Sequence, residues 1–501
     1  MVEFPLNQQE LAQRLENIYK QIIQSSYHLV DPHDLQDEAR MCRDNLISYL
    51  GLREQHILNL RQELKDKGLA DLMQSPPHLL FTLEKILGYL MISLPSQKNL
   101  LVPTPDDSSK ISTKRTNELF GNRMNQPAIM VTVDSKVLDN PSQIEELLRN
   151  GMDVARINCA HDDPDLWKGL IDAIRDVEKS LRLEGNYHKN DCKIYMDLAG
   201  PKVRVGKLPS APILVMKGDR LRLYLNSEAG GHPAFENSPA GVPVTLEKAF
   251  RNVRVNDTIF IDDGKIRGFV TQVTKEFVEV EIDSPALKPI RIKEGKGLNL
   301  PDSLLSLNLP ALTEKDLADI PFITKHADIV GISFVHSPLD LRKLRQELNI
   351  LNRTDMGVVA KIETKDAVHN LARIILEGLH FKRFGIMLAR GDLAVEVGLE
   401  NLSYVQDEIL TICSAAYTPV IWATGVLEKL TKKGIPTRAE MTDAAYGTRA
   451  NCIMLNKGAF VIDAVKMLVK IVNTGVVDHP RQKQKFDLTT QYGIFDPKSK
   501  T

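Results

Sequence analysis

The chain has 501 residues, 43% of them hydrophobic and 26% charged, with a formal net charge of −1. This is a globular composition with room for about two to four domains, and its near-neutrality excludes a global field for nucleic acid or an anionic membrane. The longest apolar run, near residues 86–92, is far too short for a membrane span.

Cys42, Cys159, Cys192, Cys413 and Cys452 are scattered, with no CxxC pair, which predicts reduced thiols rather than a disulfide set or a zinc site. The opening Met1-Val2-Glu3-Phe4-Pro5 has neither the basic nor the apolar region of a secretory signal, so a cytoplasmic protein is expected.

Residues 1–93 read as a helical module. Leu11, Leu15, Ile18, Tyr19, Ile22 and Ile23 recur at helical spacing, as do Ile57, Leu60 and Leu64. Asp31-Pro32 offers a cap followed by a first-turn proline, and Ser75-Pro76-Pro77 breaks the chain before another helix. Residues 94–125, polar and aperiodic, read as a linker.

From Pro127 the texture changes to short apolar strands alternating with amphipathic helices. The strands expected are 128–133, 154–158, 193–197, 329–335, 358–363, 385–389, 420–423 and 452–455, a set that predicts an α/β (β/α)8 TIM barrel. The gap after Asp197 alternates with period two, as in Leu221-Arg222-Leu223-Tyr224 and Thr258-Ile259-Phe260-Ile261, and predicts an inserted small β-barrel domain over 202–298. The barrel would then run over 126–201 and 299–478, with a polar tail at 479–501.

Val358-Val359-Ala360-Lys361-Ile362-Glu363 is an apolar strand ending in two opposite charges on one side. Such charges at a buried strand end cost desolvation energy unless they are used. Other strand ends add Arg156, Asn158, Asp197, the run Ala389-Arg390-Gly391-Asp392, and Thr424. Chemistry in such barrels collects at the carboxyl ends of the strands. Glu363 and Asp392 suit a hard divalent ion such as Mg²⁺, and Arg156 and Lys361 suit the charge of a transferring phosphoryl group.

At this point the chain resembles pyruvate kinases. The resemblance rests on Gly151-Met152-Asp153-Val154-Ala155-Arg156-Ile157-Asn158, Asp197-Leu198-Ala199-Gly200-Pro201-Lys202-Val203-Arg204 and Asn299-Leu300-Pro301. It continues through Ala360–Glu363, Ala389–Leu393 and Pro436-Thr437-Arg438-Ala439-Glu440, all in family order. The resemblance implies Mg²⁺- or Mn²⁺-dependent transfer of phosphoryl from phosphoenolpyruvate to ADP. It implies Lys361, Thr424 and Arg156 as catalytic residues and Glu363 and Asp392 as metal ligands. It further implies that the Ala389, Arg390 and Gly391 backbone receives the substrate carboxylate, and that Thr132, His161, Arg204 and Lys217 face the nucleotide.

Several positions depart from the family pattern. Of its K⁺-binding set, Asn158 and Asp197 remain, whereas Ala160 replaces a serine. Lys202 stands where a glutamate is usual, as in the K⁺-independent branch, so K⁺ is expected to be dispensable, with Lys202 placing a cation near Asp197. Asp134, Ser135 and Asp153 add polar or acidic groups on the expected nucleotide side, Gly425 replaces a glutamine, and the segment after strand eight is shortened to Asn456-Lys457-Gly458.

The family's C-terminal effector domain has no counterpart, so a monomer or dimer rather than the family tetramer is expected, with the N-terminal helices free to bind a protein partner. No nucleic acid and no membrane partner is expected. Phosphoryl transfer to a changed acceptor, and a non-catalytic homologue acting through its helices, are the alternatives.

Overall fold

The computed structural model describes residues 8–28, 35–55, 58–94, 100–123, 126–185, 190–235, 238–302 and 310–474. Asp31-Pro32 and the polar tail lie outside the described residues.

The centre is a closed barrel of eight parallel strands: Ala128–Thr132, Val154–Asn158, Lys193–Asp197, Ile329–Ile332, Gly357–Ile362, Arg383–Ala389, Val420–Ala423 and Cys452–Leu455. All are buried along nearly their whole length, as parallel strands covered by helices must be. Register runs unbroken round the ring; Lys361 lies beside Met387, and Asn158 beside Asp197.

The fourth strand is shorter than its apolar run predicts. It ends at Ile332 because Phe334 turns to φ +52° and points its N–H at Glu363. A tight approach also sets this strand's composition: a Cβ on Gly331 would come 1.9 Å from the Tyr195 hydroxyl.

After Asp197 the chain leaves the barrel for a β unit with its own apolar core of Val205, Leu221, Leu223, Val242, Val278 and Val280, among others. It comprises a six-stranded sheet and the two-stranded pair of Ile213–Val215 with Ile290–Ile292. The chain returns through Leu298–Asn299.

Residues 94–125 are more than a linker, since they hold the helix Pro105–Phe120. Thr104 and Asp107 form a reciprocal capping box, with proline at the first helical position. The end of this helix closes the amino-terminal mouth of the barrel. Leu119 and Phe120 are buried with Met130, Tyr195, Val359, Met387 and Ile421.

The N-terminal helices Gln8–His28, Asp37–Arg53, Leu58–Asp66 and Leu79–Tyr89 share one continuous apolar core with the barrel. They dock on the helix Leu399–Ala415 and the turn after it, where Asn45 Nδ2 donates to the carbonyl oxygens of Ala415 and Pro76, each at 2.7 Å. No described helix is long and apolar enough to cross a membrane.

Candidate active site

Side chains at the carboxyl ends of the barrel strands converge on a cavity of about 800 Å³. Its lining includes Arg156, Lys202, Lys361, Glu363, Asp392 and Thr424. Lys361 is the hub. Its ammonium donates to Ser333 Oγ at 2.8 Å and lies 3.1 Å from Glu363 Oε1 and 3.3 Å from Asp197 Oδ2. Burial alone would lower its pKa, but the charges of Asp197 and Glu363 outweigh burial and raise it, so the lysine stays cationic.

Asp197 also accepts from Arg156 Nε at 3.0 Å and from the Tyr195 hydroxyl at 3.4 Å. Burial works to raise its carboxyl and the two cations work to lower it; the cations prevail. Arg156 is tied in addition to Thr132 Oγ1 at 3.0 Å. These charges are thus locked in place before any substrate arrives, as electrostatic catalysis requires.

Glu363 behaves differently. Burial raises its pKa, Lys361 opposes the rise, and the neighbouring Asp392 charge adds to it, leaving it above the ordinary glutamate value. A buried carboxylate and a part-buried one that repel each other fit a divalent oxygen-seeking ion, which removes that repulsion. No three Asp, Glu, His or Cys side chains converge on a metal position among the described residues, so the remaining coordination would fall to substrate oxygens and water.

Thr424 projects from a backbone at φ +68° directly after the seventh strand. Gly391 permits its approach, since a Cβ there would lie 2.7 Å from Thr424 Cγ2. Ala389 and Gly391 line the same cavity. The Arg390 guanidinium is fully engaged: it donates to the Ala423 carbonyl at 3.0 Å, to the Thr424 carbonyl at 2.6 Å and to Asp443, and it stacks on Trp422 at 4.2 Å. It thereby holds the strained Thr424 turn.

A smaller adjoining groove is lined by Thr132, Asp134, Arg156, Asn158, His161, Lys432 and Lys457. Burial, then Lys457 and Arg204, push the His161 pKa down, so its imidazole is neutral near pH 7. Asp134 does not present a bare charge here, because Lys457 of the shortened segment pairs with it at 2.9 Å. Arg204 lines the main cavity while donating to the Gly295 carbonyl at 2.9 Å.

Three expectations change. Lys202 is not on Asp197, whose carboxylate is taken by Arg156 and Lys361; its ammonium grips both oxygens of Asp392, at 2.7 and 2.9 Å. Asp153 stands at the opposite end of the barrel, where it receives the Ile129 N–H at 2.8 Å and Arg123 at 3.1 Å, because it precedes its strand rather than ending it. Lys217 pairs with Asp283 at 3.5 Å in a separate groove of the β unit with Val255 and Phe269. Asn158 turns its amide oxygen onto the Ala160 N–H.

Sequence reasoning missed Ser333 and Phe334, which seat Lys361 and Glu363; the dipeptide lay inside what was read as strand.

Residues 124–465 match the family model of the pyruvate kinase barrel domain. The chain belongs to the pyruvate kinase family. It is similar to pyruvate kinase of Bacillus licheniformis, at 32% identity over 344 residues, covering 67% of this chain and 54% of that protein. Pyruvate kinase of Thermococcus litoralis is 33% identical over 340 residues, covering 66% of each. That of Staphylococcus aureus is 32% identical over 342 residues, covering 66% of this chain and 54% of the relative. The chain therefore spans between about half and two thirds of the length of these relatives.

Proposed function

We propose that this chain transfers the phosphoryl group of phosphoenolpyruvate to ADP, giving pyruvate and ATP. The observation that carries the reading is the Arg156–Asp197–Lys361–Glu363 network, charged, buried and aimed into the same cavity as Asp392. A structural ion-pair cluster has no need of a cavity, a second carboxylate and a strained threonine beside it.

The phosphorus–oxygen bond to the enol oxygen breaks as a nucleotide oxygen bonds to phosphorus, and charge grows on both the phosphoryl oxygens and the enolate. Lys361 and Arg156, fixed by Asp197, would meet that charge without reorganisation. A divalent cation held by Glu363 and Asp392 would neutralise phosphoryl charge and orient the donor. The Ala389–Gly391 backbone lies at the start of the helix Arg390–Val397 and would accommodate the donor's carboxylate, and Thr424 would sit near the carbon that takes up a proton. Thr132 and His161 line the adjoining groove and Arg204 the main cavity, and these three would face the nucleotide.

Potassium is dispensable in this reading, because Asp197 already faces two cations and Lys202 adds a third to the cavity wall. Pyruvate formation from phosphoenolpyruvate and ADP in potassium-free sodium buffer tests both points. No turnover without potassium, rescued by adding it, overturns the potassium claim. The Asp134–Lys457 pair in the acceptor groove favours one second reading, a changed acceptor; assaying other diphosphates alongside ADP decides between them.

A further inference from the structure

The Lys202 ammonium sits on the carboxylate of Asp392, beside Glu363 in the cavity wall. It is held by both Asp392 oxygens, at 2.7 and 2.9 Å, with only 18% of its side chain and 16% of that of Asp392 exposed. Its charge also lies 5.9 Å from the centre of the Phe334 ring, the residue whose N–H binds Glu363. The stem runs across Gly297, where a Cβ would come within 2.6 Å of Lys202 Cε. The channel for this side chain is thus built from the absence of a side chain on the returning strand.

The lysine belongs to neither barrel wall. Its flanking residues pair with the chain as it comes back from the β unit: the Leu298 N–H donates to the Val203 carbonyl and the Val205 N–H to the Lys296 carbonyl, each at 2.9 Å. The Lys202 side chain bonds to Asp392 and shares no hydrogen bond with the Arg156–Asp197–Lys361 network.

We propose that Lys202 is a resident counter-cation of the Glu363/Asp392 pair, which holds the divalent position when no metal is bound and is exchanged for the metal on loading. Two adjacent carboxylates repel each other, and an ammonium held between the oxygens of one of them offsets that repulsion. A divalent ion relieves it more fully but must first displace the ammonium, or tolerate its charge nearby. In either case Lys202 lowers the affinity for metal and protects the metal-free protein. This inference rests on Glu363 and Asp392 being the divalent ligands.

The test is titration of the substrate-free full chain with Mn²⁺, following free Mn²⁺ by electron paramagnetic resonance. Lys202→Met should bind Mn²⁺ about tenfold more tightly than the natural chain, and Lys202→Arg, which keeps the charge, within about threefold of it. With chelator present, Lys202→Met should melt below the natural chain and gain more from added Mn²⁺. If Lys202→Met does not fold, Lys202→Gln takes its place with the same expectation.

Equal or weaker Mn²⁺ binding by the neutral variant overturns the exchange while leaving the metal site standing. Asp392→Asn should lose binding in either background. Failure of the natural chain and the Lys202 variants alike to bind Mn²⁺ overturns the metal reading itself.

Discussion

Lys361 carries three contacts, and each of them predicts what its loss does. Lys361→Met removes the cation that faces both Asp197 and Glu363, so the buried carboxylates lose a partner and, in the proposed reaction, the transferring group would lose a preorganised charge. Turnover should fall by about a thousandfold, roughly 4 kcal/mol of transition-state stabilisation. Lys361→Arg should recover stability more than rate, which steady-state kinetics beside a thermal melt separates.

Glu396 gives a second residue-level expectation. Burial lifts its pKa to about 7, Asn299 and the Lys365 N–H offer weak opposing hydrogen bonds, and Asp392 and His336 face it. A folded-state pKa above the unfolded one means that its contribution is present below the unfolded value, near 4.5, and is lost as pH rises through about 7. Glu396→Gln should therefore match the natural chain at pH 4.5 and be more stable at pH 8, by about 3 kcal/mol. Denaturant melts at the two pH values check the sign; equal stability at both would contradict it.

The same scale shows what was legible in the sequence. Lys361 and Glu363 stood out because a two-residue period cannot hide charges at the end of an apolar strand. Lys202's partner did not, because it lies 190 residues away across the cavity and no local period encodes it.

At the scale of elements, the barrel was readable because eight apolar runs each had to be buried on both faces, which leaves a near-continuous hydrophobic signature. The fourth strand's end was not readable, since a left-handed phenylalanine has no sequence signal of the kind that glycine gives. The helix Pro105–Phe120 was overlooked for another reason. Its polar faces mask its periodicity, although Thr104-Pro105-Asp106-Asp107 carries a full start signal.

Its function as a plug is testable. Leu119 is 1% exposed, and its two Cδ atoms lie 2.9 and 2.7 Å from where Cβ atoms on Gly357 and Gly385 would be. Those two glycines leave the space that the leucine fills. Leu119→Ala should cost about 3 kcal/mol, with catalysis at the far mouth unchanged once the protein is folded. A denaturation midpoint that does not move would show that the barrel floor closes without the plug.

The whole molecule joins two parts that the sequence separates. The chain to residue 93 reads as an independent module because its helices have their own apolar stripes, yet their buried faces continue into the barrel's core. Specific polar contacts fix the junction: Asn45 serves two carbonyls, the Tyr417 hydroxyl donates to the Pro77 carbonyl, Ser108 Oγ donates to the same carbonyl at 2.8 Å, and Arg53 pairs with Glu408.

Asn45 is 1% exposed, so Asn45→Ala strands buried acceptors rather than exchanging them for water, at a cost of about 2 kcal/mol. If helices and barrel unfold as one unit, that cost falls on both. Urea titrations followed by helix signal and by pyruvate-forming activity should then share a single midpoint, and the substitution should move both readouts together. An independent module would lose helix signal first while activity persisted, and Asn45→Ala would widen that gap. Coincident transitions instead would mean that a disturbance on the outer helices reaches the active site through shared stability, with no contact between them.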